Sequence, residues 1–120
     1  MNKRDVIKYC LTLPNTFEDY PFPDDNVSVV MKHTNNKKWF ALIMEVNGEL
    51  YLNVKTETNY SDLLRNSYDY IIPAYHMNKE HWNTVILSEN VDVNLVKELI
   101  EQSYQLTQSN IHKRKINKNQ

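Results

Sequence analysis

The chain has 120 residues, of which 41% are apolar, and a formal net charge of −1 at pH 7. These values predict one globular domain, and the lack of a signal peptide or of an apolar run near the ~20 residues of a membrane helix predicts a cytoplasmic protein. Its one cysteine, Cys10, excludes an internal disulfide, and its one glycine, Gly48, excludes the glycine-rich loops of Walker and dinucleotide-binding sites.

The charges are distributed unevenly along the chain. Residues 1–110 carry 10 Lys/Arg and 15 Asp/Glu, whereas residues 111–120 carry four Lys/Arg and no acid. We therefore expect a single domain over residues 1–110, followed by a frayed basic tail over residues 111–120.

The N-terminal segment has the pattern of a capped amphipathic helix. Asn2 and Asp5 have the spacing of a capping box, which predicts a helix over Lys3–Thr12. Cys10 falls on its apolar face, where a thiol is usually buried and unreactive. The stretch Asn15–Asn26 is rich in proline and aspartate, so it predicts a loop.

Three consecutive antiparallel strands are predicted next. The Asn47-Gly48 pair between two apolar-rich runs is a strong hairpin signal, because a type I′ turn needs positive φ at both central residues. The second strand is apolar on both faces, which indicates a central position in the sheet. The predicted strands are Val27–His33, Lys38–Val46 and Glu49–Lys55.

The C-terminal half predicts one more strand between two helices. Ser61 is expected to cap a short helix, and the residues before Pro73 are expected to be extended. A last strand follows at Trp82–Leu87, and Asp92 caps a helix that runs to about residue 108. The predicted fold class is α+β, an antiparallel sheet covered by the N- and C-terminal helices.

Metal and catalytic sites are not supported by the spacing of the candidate residues. His76 and His81 are five residues apart, which on a helix places them about 140° apart around the axis, so they do not share a face. The carboxylate pairs Glu18-Asp19 and Asp24-Asp25 lie in the predicted loop without a recognisable catalytic partner. We therefore predict a non-enzymatic protein with no metal site and no cofactor.

Basic residues cluster around the first predicted hairpin turn. Lys32, His33, Lys37 and Lys38 flank this turn, and Lys55 ends the third predicted strand. A hairpin of this kind can contact a nucleic-acid backbone as a wing. Alternatively, such lysines protect a sheet edge from aggregation. Both interpretations stay open at this point.

One segment resembles a known family. It contains Leu63-Leu64-Arg65, Pro73 and the specific run His76-Met77-Asn78-Lys79-Glu80-His81-Trp82, and it closely resembles the signature stretch of the MmcQ/YjbR family. Weaker agreement extends over nearly the whole chain, at Leu13-Pro14, Phe40-Ala41, Leu52 with Lys55, and Ser103-Tyr104.

The resemblance implies a CyaY-like, frataxin-like α/β sandwich and a double-wing arrangement proposed to bind DNA. The wings would be the hairpins through Asn35-Asn36 and through Asn47-Gly48, although Glu45 and Glu49 flank the second tip. The first helix begins Lys3-Arg4-Asp5, which has the wrong charge for the iron-binding acidic ridge of frataxin-like proteins. The implied phosphate contacts are Lys32, Lys37, Lys38, Lys55 and Lys79.

An alternative function is a non-catalytic module that binds a protein or small ligand through the region Tyr75–Trp82. Its candidate residues are His76, Asn78, His81 and Trp82. The same residues have a structural interpretation, in which Trp82 anchors the last strand, Asn78 caps a turn and His76 bonds a buried carbonyl. We expect a monomer in either case.

Overall fold

The computed structural model describes residues 1–108, which form a six-stranded antiparallel sheet and three helices. The predicted basic tail, residues 111–120, lies outside the described residues. The strands follow the order β1-β2-β3-β4-β6-β5, which confirms the α+β class. Within the described residues, no helix has the length and apolar character needed to cross a membrane. The elements are α1 (Lys3–Leu11), β1 (Thr16–Asp19), β2 (Val29–His33), β3 (Trp39–Val46), β4 (Glu49–Lys55), α2 (Thr58–Ser67), β5 (Ile71–Pro73), β6 (Trp82–Ile86) and α3 (Val93–Leu106).

Helix α1 begins with the predicted capping box. The Asn2 side chain accepts a hydrogen bond from the Asp5 backbone N–H at 2.8 Å, and the Asp5 carboxylate accepts one from the Asn2 N–H at 3.1 Å. Cys10 is completely buried, and burial raises the pKa of its thiol to about 12. The thiol therefore stays neutral and belongs to the core, as predicted.

The predicted hairpin between β3 and β4 is confirmed. Asn47 and Gly48 have φ values of 51° and 83°, as a type I′ turn requires. Strand β3 lies third of six in the sheet, and its residues Phe40–Met44 are all buried. Both of its faces are therefore covered, which explains why its sequence lacks alternation.

Two predictions about local structure were wrong. The expected loop at Asn15–Asn26 begins with an edge strand, β1, which is only four residues long and too short to show a reliable alternation. Ser61 does not cap α2, because the N-cap is Glu57. Instead, Ser61 lies inside the helix, where its buried hydroxyl is 2.6 Å from that of Thr56.

A β-bulge interrupts the pairing of β2 with β3. The register changes from Met31 opposite Ala41 to Lys32 opposite Trp39, so that Phe40 is the extra residue. Because of this extra residue, Trp39 lies on the same face as Lys32, while Phe40 packs into the main core.

Helix α3 closes the gap that the bulge leaves in the β3–β4 ladder. Pairing of β3 with β4 ends at Ala41 opposite Val54, one step before Phe40 would meet Lys55. The buried Ser103 hydroxyl donates to the Phe40 carbonyl at 2.6 Å and accepts from the Lys55 N–H at 2.8 Å. One side chain thus replaces the missing backbone bond and attaches the helix to the sheet.

Candidate functional site

One face of the sheet packs against the helices, and the other, here called the open face, does not. Alternation and register assign each strand residue to a face. On the open face Val30, Leu42 and Met44 form an apolar cluster separate from the main core. Its other strand residues, from β1 across to β6, include Phe17, Asp19, Lys32, Trp39, Val46, Tyr51, Asn53, Lys55, Trp82, Thr84 and Ile86.

The five predicted phosphate-binding lysines lie at one end of the sheet, here called the basic end. Strands β2 and β4 both finish there, and the chain enters β6 there, because Lys55 pairs with Trp82. Lys37, Lys38 and Lys79 are exposed in the adjoining turns. Asp19 pairs with Lys32, and Glu57 and Glu80 are close in the sequence to Lys55 and Lys79, so the five lysines outnumber these three acids. The set is Lys32, Lys37, Lys38, Lys55 and Lys79.

The second predicted wing lies at the opposite end. The turn at Asn47-Gly48 follows the eight residues of β3, which span about 26 Å. Glu45 and Glu49 flank this turn and line a depression together with Glu89, so three acids face Lys3 and Met1 there. The two hairpin turns therefore do not form one contact surface, and the acidic end is separated from the basic end by the length of the sheet.

The environments of the lysines at the first turn differ. The Lys32 ammonium lies 2.6 Å from the Asp19 carboxylate, and this hydrogen bond lowers the pKa of Asp19. The ammonium groups of Lys32 and Lys37 lie 6.0 Å and 5.2 Å from the centre of the Phe17 ring, which holds both on the open face. Lys37 and Lys38 are exposed, so their charges are available to a partner.

His33 does not belong to this basic cluster. Its ring is buried, with Nε2 2.8 Å from the Thr107 hydroxyl, and it packs against Phe40 and Tyr104. Burial lowers the pKa of His33, so the ring is neutral at pH 7. Within residues 1–108, no group of three or more His, Cys, Asp or Glu side chains is placed to hold a metal ion.

The signature run forms a tight turn before β6. Asn78 caps this turn, because its side chain accepts from the Glu80 N–H at 2.9 Å and its carbonyl accepts from the Trp82 N–H at 2.9 Å. His76 is exposed, has a φ of 63° and packs edge-on against Tyr75 with 4.1 Å between ring centres. Among residues 1–108 His76 makes no hydrogen bond to a carbonyl, so the predicted bond to a buried carbonyl is not found there. His81 is half-buried.

Arg65 attaches the signature turn to the sheet and to α2. Its Nε donates to the Asn83 side-chain oxygen at 2.6 Å, and its Nη2 donates to the Lys79 carbonyl. The Asn83 amide in turn donates to the hydroxyls of Thr56 and Ser61, at 2.6 Å and 2.9 Å. The sequence analysis did not predict this network. Its one indication in the sequence is a polar residue, Asn83, at a buried position of β6.

A second network holds the loop before the turn against the open face. The Asn53 amide donates to the Tyr75 carbonyl at 2.9 Å, and the Tyr75 N–H donates to the Thr84 hydroxyl at 2.9 Å. That hydroxyl donates to the Asn53 side-chain oxygen. Asn53 and Thr84 are buried beneath the loop, so its position is defined by fully paired polar groups.

A groove of about 350 Å³ opens between this loop and the β1–β2 connection. Its floor is apolar, and the Phe22 ring meets Trp39 edge to face with 6.0 Å between centres. The Asp25 carboxylate accepts from the Ser28 hydroxyl and from the backbone N–H groups of Val27 and Ser28; these bonds lower the pKa of Asp25 and keep it ionised. The groove is lined by Phe22, Asp25, Ser28, Trp39, Leu42, Met44, His76 and Met77.

Comparison with known proteins shows the family of the chain. The YjbR family model matches residues 11–106, which include the signature turn and all six strands of the sheet. The chain belongs to the YjbR family. YyaQ, an uncharacterised protein of Bacillus subtilis (strain 168), is 37% identical over 117 residues, covering 89% of this chain and 98% of YyaQ. The uncharacterised protein YjbR of Escherichia coli (strain K12) is 27% identical over 109 residues, covering 88% of this chain and 86% of that protein.

Solved structures of the family have the same fold. A crystal structure of a Pseudomonas syringae protein matches with a TM-score of 0.81 and 35% identity, covering 90% of this chain and all of the other. A crystal structure of a Deinococcus radiodurans protein with a DUF419 domain matches with a TM-score of 0.76 and 32% identity, covering 86% of this chain and 75% of that one.

Proposed function

We propose that this member of the YjbR family is a non-enzymatic, monomeric DNA-binding domain that acts in the cytoplasm. Its contact surface is the basic end of the open face. The observation that supports this best is the convergence of Lys32, Lys37, Lys38, Lys55 and Lys79, which come from three separate stretches of sequence, at one end of the sheet.

The charge distribution indicates which end of the domain faces DNA. Residues 1–110 carry 10 Lys/Arg against 15 Asp/Glu, so the domain as a whole does not attract a polyanion. Glu45 and Glu49 at the far end repel phosphates, while the exposed lysines at the basic end attract them. DNA therefore approaches one end of the domain, and only the first hairpin acts as a wing.

The test is the affinity of the full chain for a fluorescein-labelled DNA duplex at low salt, measured by anisotropy. Reversing two charges in the first turn, Lys37→Glu with Lys38→Glu, is expected to weaken binding at least tenfold, because contacts with phosphates dominate affinity. The matched control is Arg4→Glu with Lys8→Glu, which changes the charge equally at exposed positions on α1. No binding of the wild type to the duplex or to a labelled single strand of the same length, or equal losses in both variants, refutes the proposal.

A second candidate function is supported by the groove. Its volume of about 350 Å³, apolar floor and few polar groups are typical of small-ligand sites. His76 and Met77 line this groove, whereas the other predicted ligand residues, Asn78, His81 and Trp82, do not, so the groove supports a ligand-binding module at Tyr75–Trp82 through His76 alone of the four. A metabolite that raises the unfolding midpoint of the wild type, but not of Trp39→Leu, would favour this function.

A further inference from the structure

We infer that the DNA bound by this domain is single-stranded, with one unpaired base in the groove and the neighbouring phosphates on the lysines of the basic end. The inference rests on the proposed function and specifies its substrate. The observation behind it is a row of alternating cations and aromatic rings across four adjacent strands.

The row follows from the strand order and the registers. Lys32 on β2 lies opposite Trp39 on β3, and Lys55 on β4 lies opposite Trp82 on β6. In the sheet these strands are neighbours in the order β2-β3-β4-β6, and all four side chains lie on the open face at the basic end. Neighbouring strands are about 4.8 Å apart, so the row is about 14 Å long.

This alternation matches the chemistry of an unpaired strand. Sequence-tolerant binding of single strands combines cations along the backbone with aromatic side chains on which bases stack. In a duplex the faces of the bases are covered by their neighbours, so a duplex can use the lysines of the row but not its tryptophans. The half-buried positions of Trp39 and Trp82 strengthen this distinction, because a rigid helix cannot reach recessed rings.

The groove extends the row to one side. Trp39 belongs to both features, since it faces Lys32 across the strand pair and lines the groove with Phe22. The apolar floor of Leu42 and Met44 suits a flat, neutral base. Asp25, which is ionised, repels phosphate from the same space. The Asp25 carboxylate and the lysines of the basic end therefore favour one orientation of the nucleotide, with the base in the groove and the phosphate over the lysines.

The test compares three probes with the full-length protein, a labelled 12-nucleotide oligo-dT strand, a labelled duplex of equal length and free dTMP. We expect the single strand to bind at least tenfold more tightly than the duplex, to quench tryptophan fluorescence, and to bind far more tightly than dTMP. Trp39→Leu should weaken single-strand binding at least fivefold and leave duplex binding unchanged. Trp39→Phe, which retains an aromatic ring, should recover most of the loss and serves as the control for folding.

The outcomes separate this inference from the proposed function. If the duplex binds as tightly as the single strand and Trp39→Leu has no selective effect, the inference is wrong while DNA binding stands. If neither DNA probe binds, both are wrong. If dTMP binds as tightly as the strand, the groove is a mononucleotide site and the single-strand inference is overturned.

Discussion

Replacing Ser103 with alanine tests how the helix layer is held to the sheet. In the wild type the Ser103 hydroxyl satisfies two backbone groups, the Phe40 carbonyl and the Lys55 N–H, at 2.6 Å and 2.8 Å. Ser103 and Phe40 are completely buried. Ser103→Ala removes one oxygen atom and leaves one backbone acceptor and one donor without their partner.

The expected loss of stability follows from those two groups. A buried polar group without a partner costs about 1–3 kcal/mol, so two cost about 2–6 kcal/mol. Alanine recovers about 0.5 kcal/mol through its higher helix propensity in α3. Since the backbone at a bulge can partly relax, we expect a net loss of about 2–4 kcal/mol, which lowers the melting temperature by about 10 °C.

Urea unfolding followed by circular dichroism measures this loss directly. The matched control is Ser67→Ala, which makes the same change at an exposed position in the last turn of α2. It should alter the free energy of unfolding by less than about 0.5 kcal/mol. A Ser103→Ala protein as stable as this control would refute the bridging role of the hydroxyl.

Three further predictions concern local structure and pH. Arg65→Lys should lower the free energy of unfolding by about 1–3 kcal/mol in urea titrations. Lysine lacks the planar guanidinium group with which Arg65 donates to both Asn83 and the Lys79 carbonyl. A variant as stable as the wild type would contradict the role of this network. Gly48→Ala should lower the free energy of unfolding by about 1 kcal/mol, because alanine is strained at the φ of 83° that Gly48 adopts. No atom lies within 4 Å of the added Cβ, so no clash contributes. A loss of stability above about 3 kcal/mol would contradict this explanation. Burial lowers the pKa of His33, so as the pH falls the His33 ring is protonated in the unfolded chain before it is protonated in the folded protein. The free energy of unfolding should therefore decrease from about pH 6.5 downwards, until the pH falls below the pKa of His33 in the folded protein. His33→Gln should flatten that decrease between pH 7.5 and 5.5, and an unchanged pH profile would contradict it.

Local sequence signals were sufficient where one short segment determines the structure. The Asn47-Gly48 turn, the Asn2 and Asp92 caps and the apolar stripe around Cys10 all depend on neighbouring residues, and all are found as predicted. The same signals failed where tertiary contacts decide. Strand β1 exists because its four residues pair with β2, and its composition alone resembles a loop.

The candidate site was only partly predictable for the same reason. The lysines could be chosen from charge and resemblance, but their convergence depends on the order and register of β2, β4 and β6. The bulge that turns Trp39 to the open face arises from an extra residue with no sequence signal. The groove joins residues as distant as Phe22 and Met77, so only the folded chain shows that they share one surface.

The most direct test of DNA binding at the basic end is an NMR titration of the ¹⁵N-labelled full chain with the 12-nucleotide strand. We predict that the shifted amide signals cluster at Lys32, Lys37 and Lys55 and at the indole N–H groups of Trp39 and Trp82, with no shifts at Asn47 and Gly48. Shifts concentrated on α1, α3 or the acidic turn, or no shifts at low salt, would contradict the account.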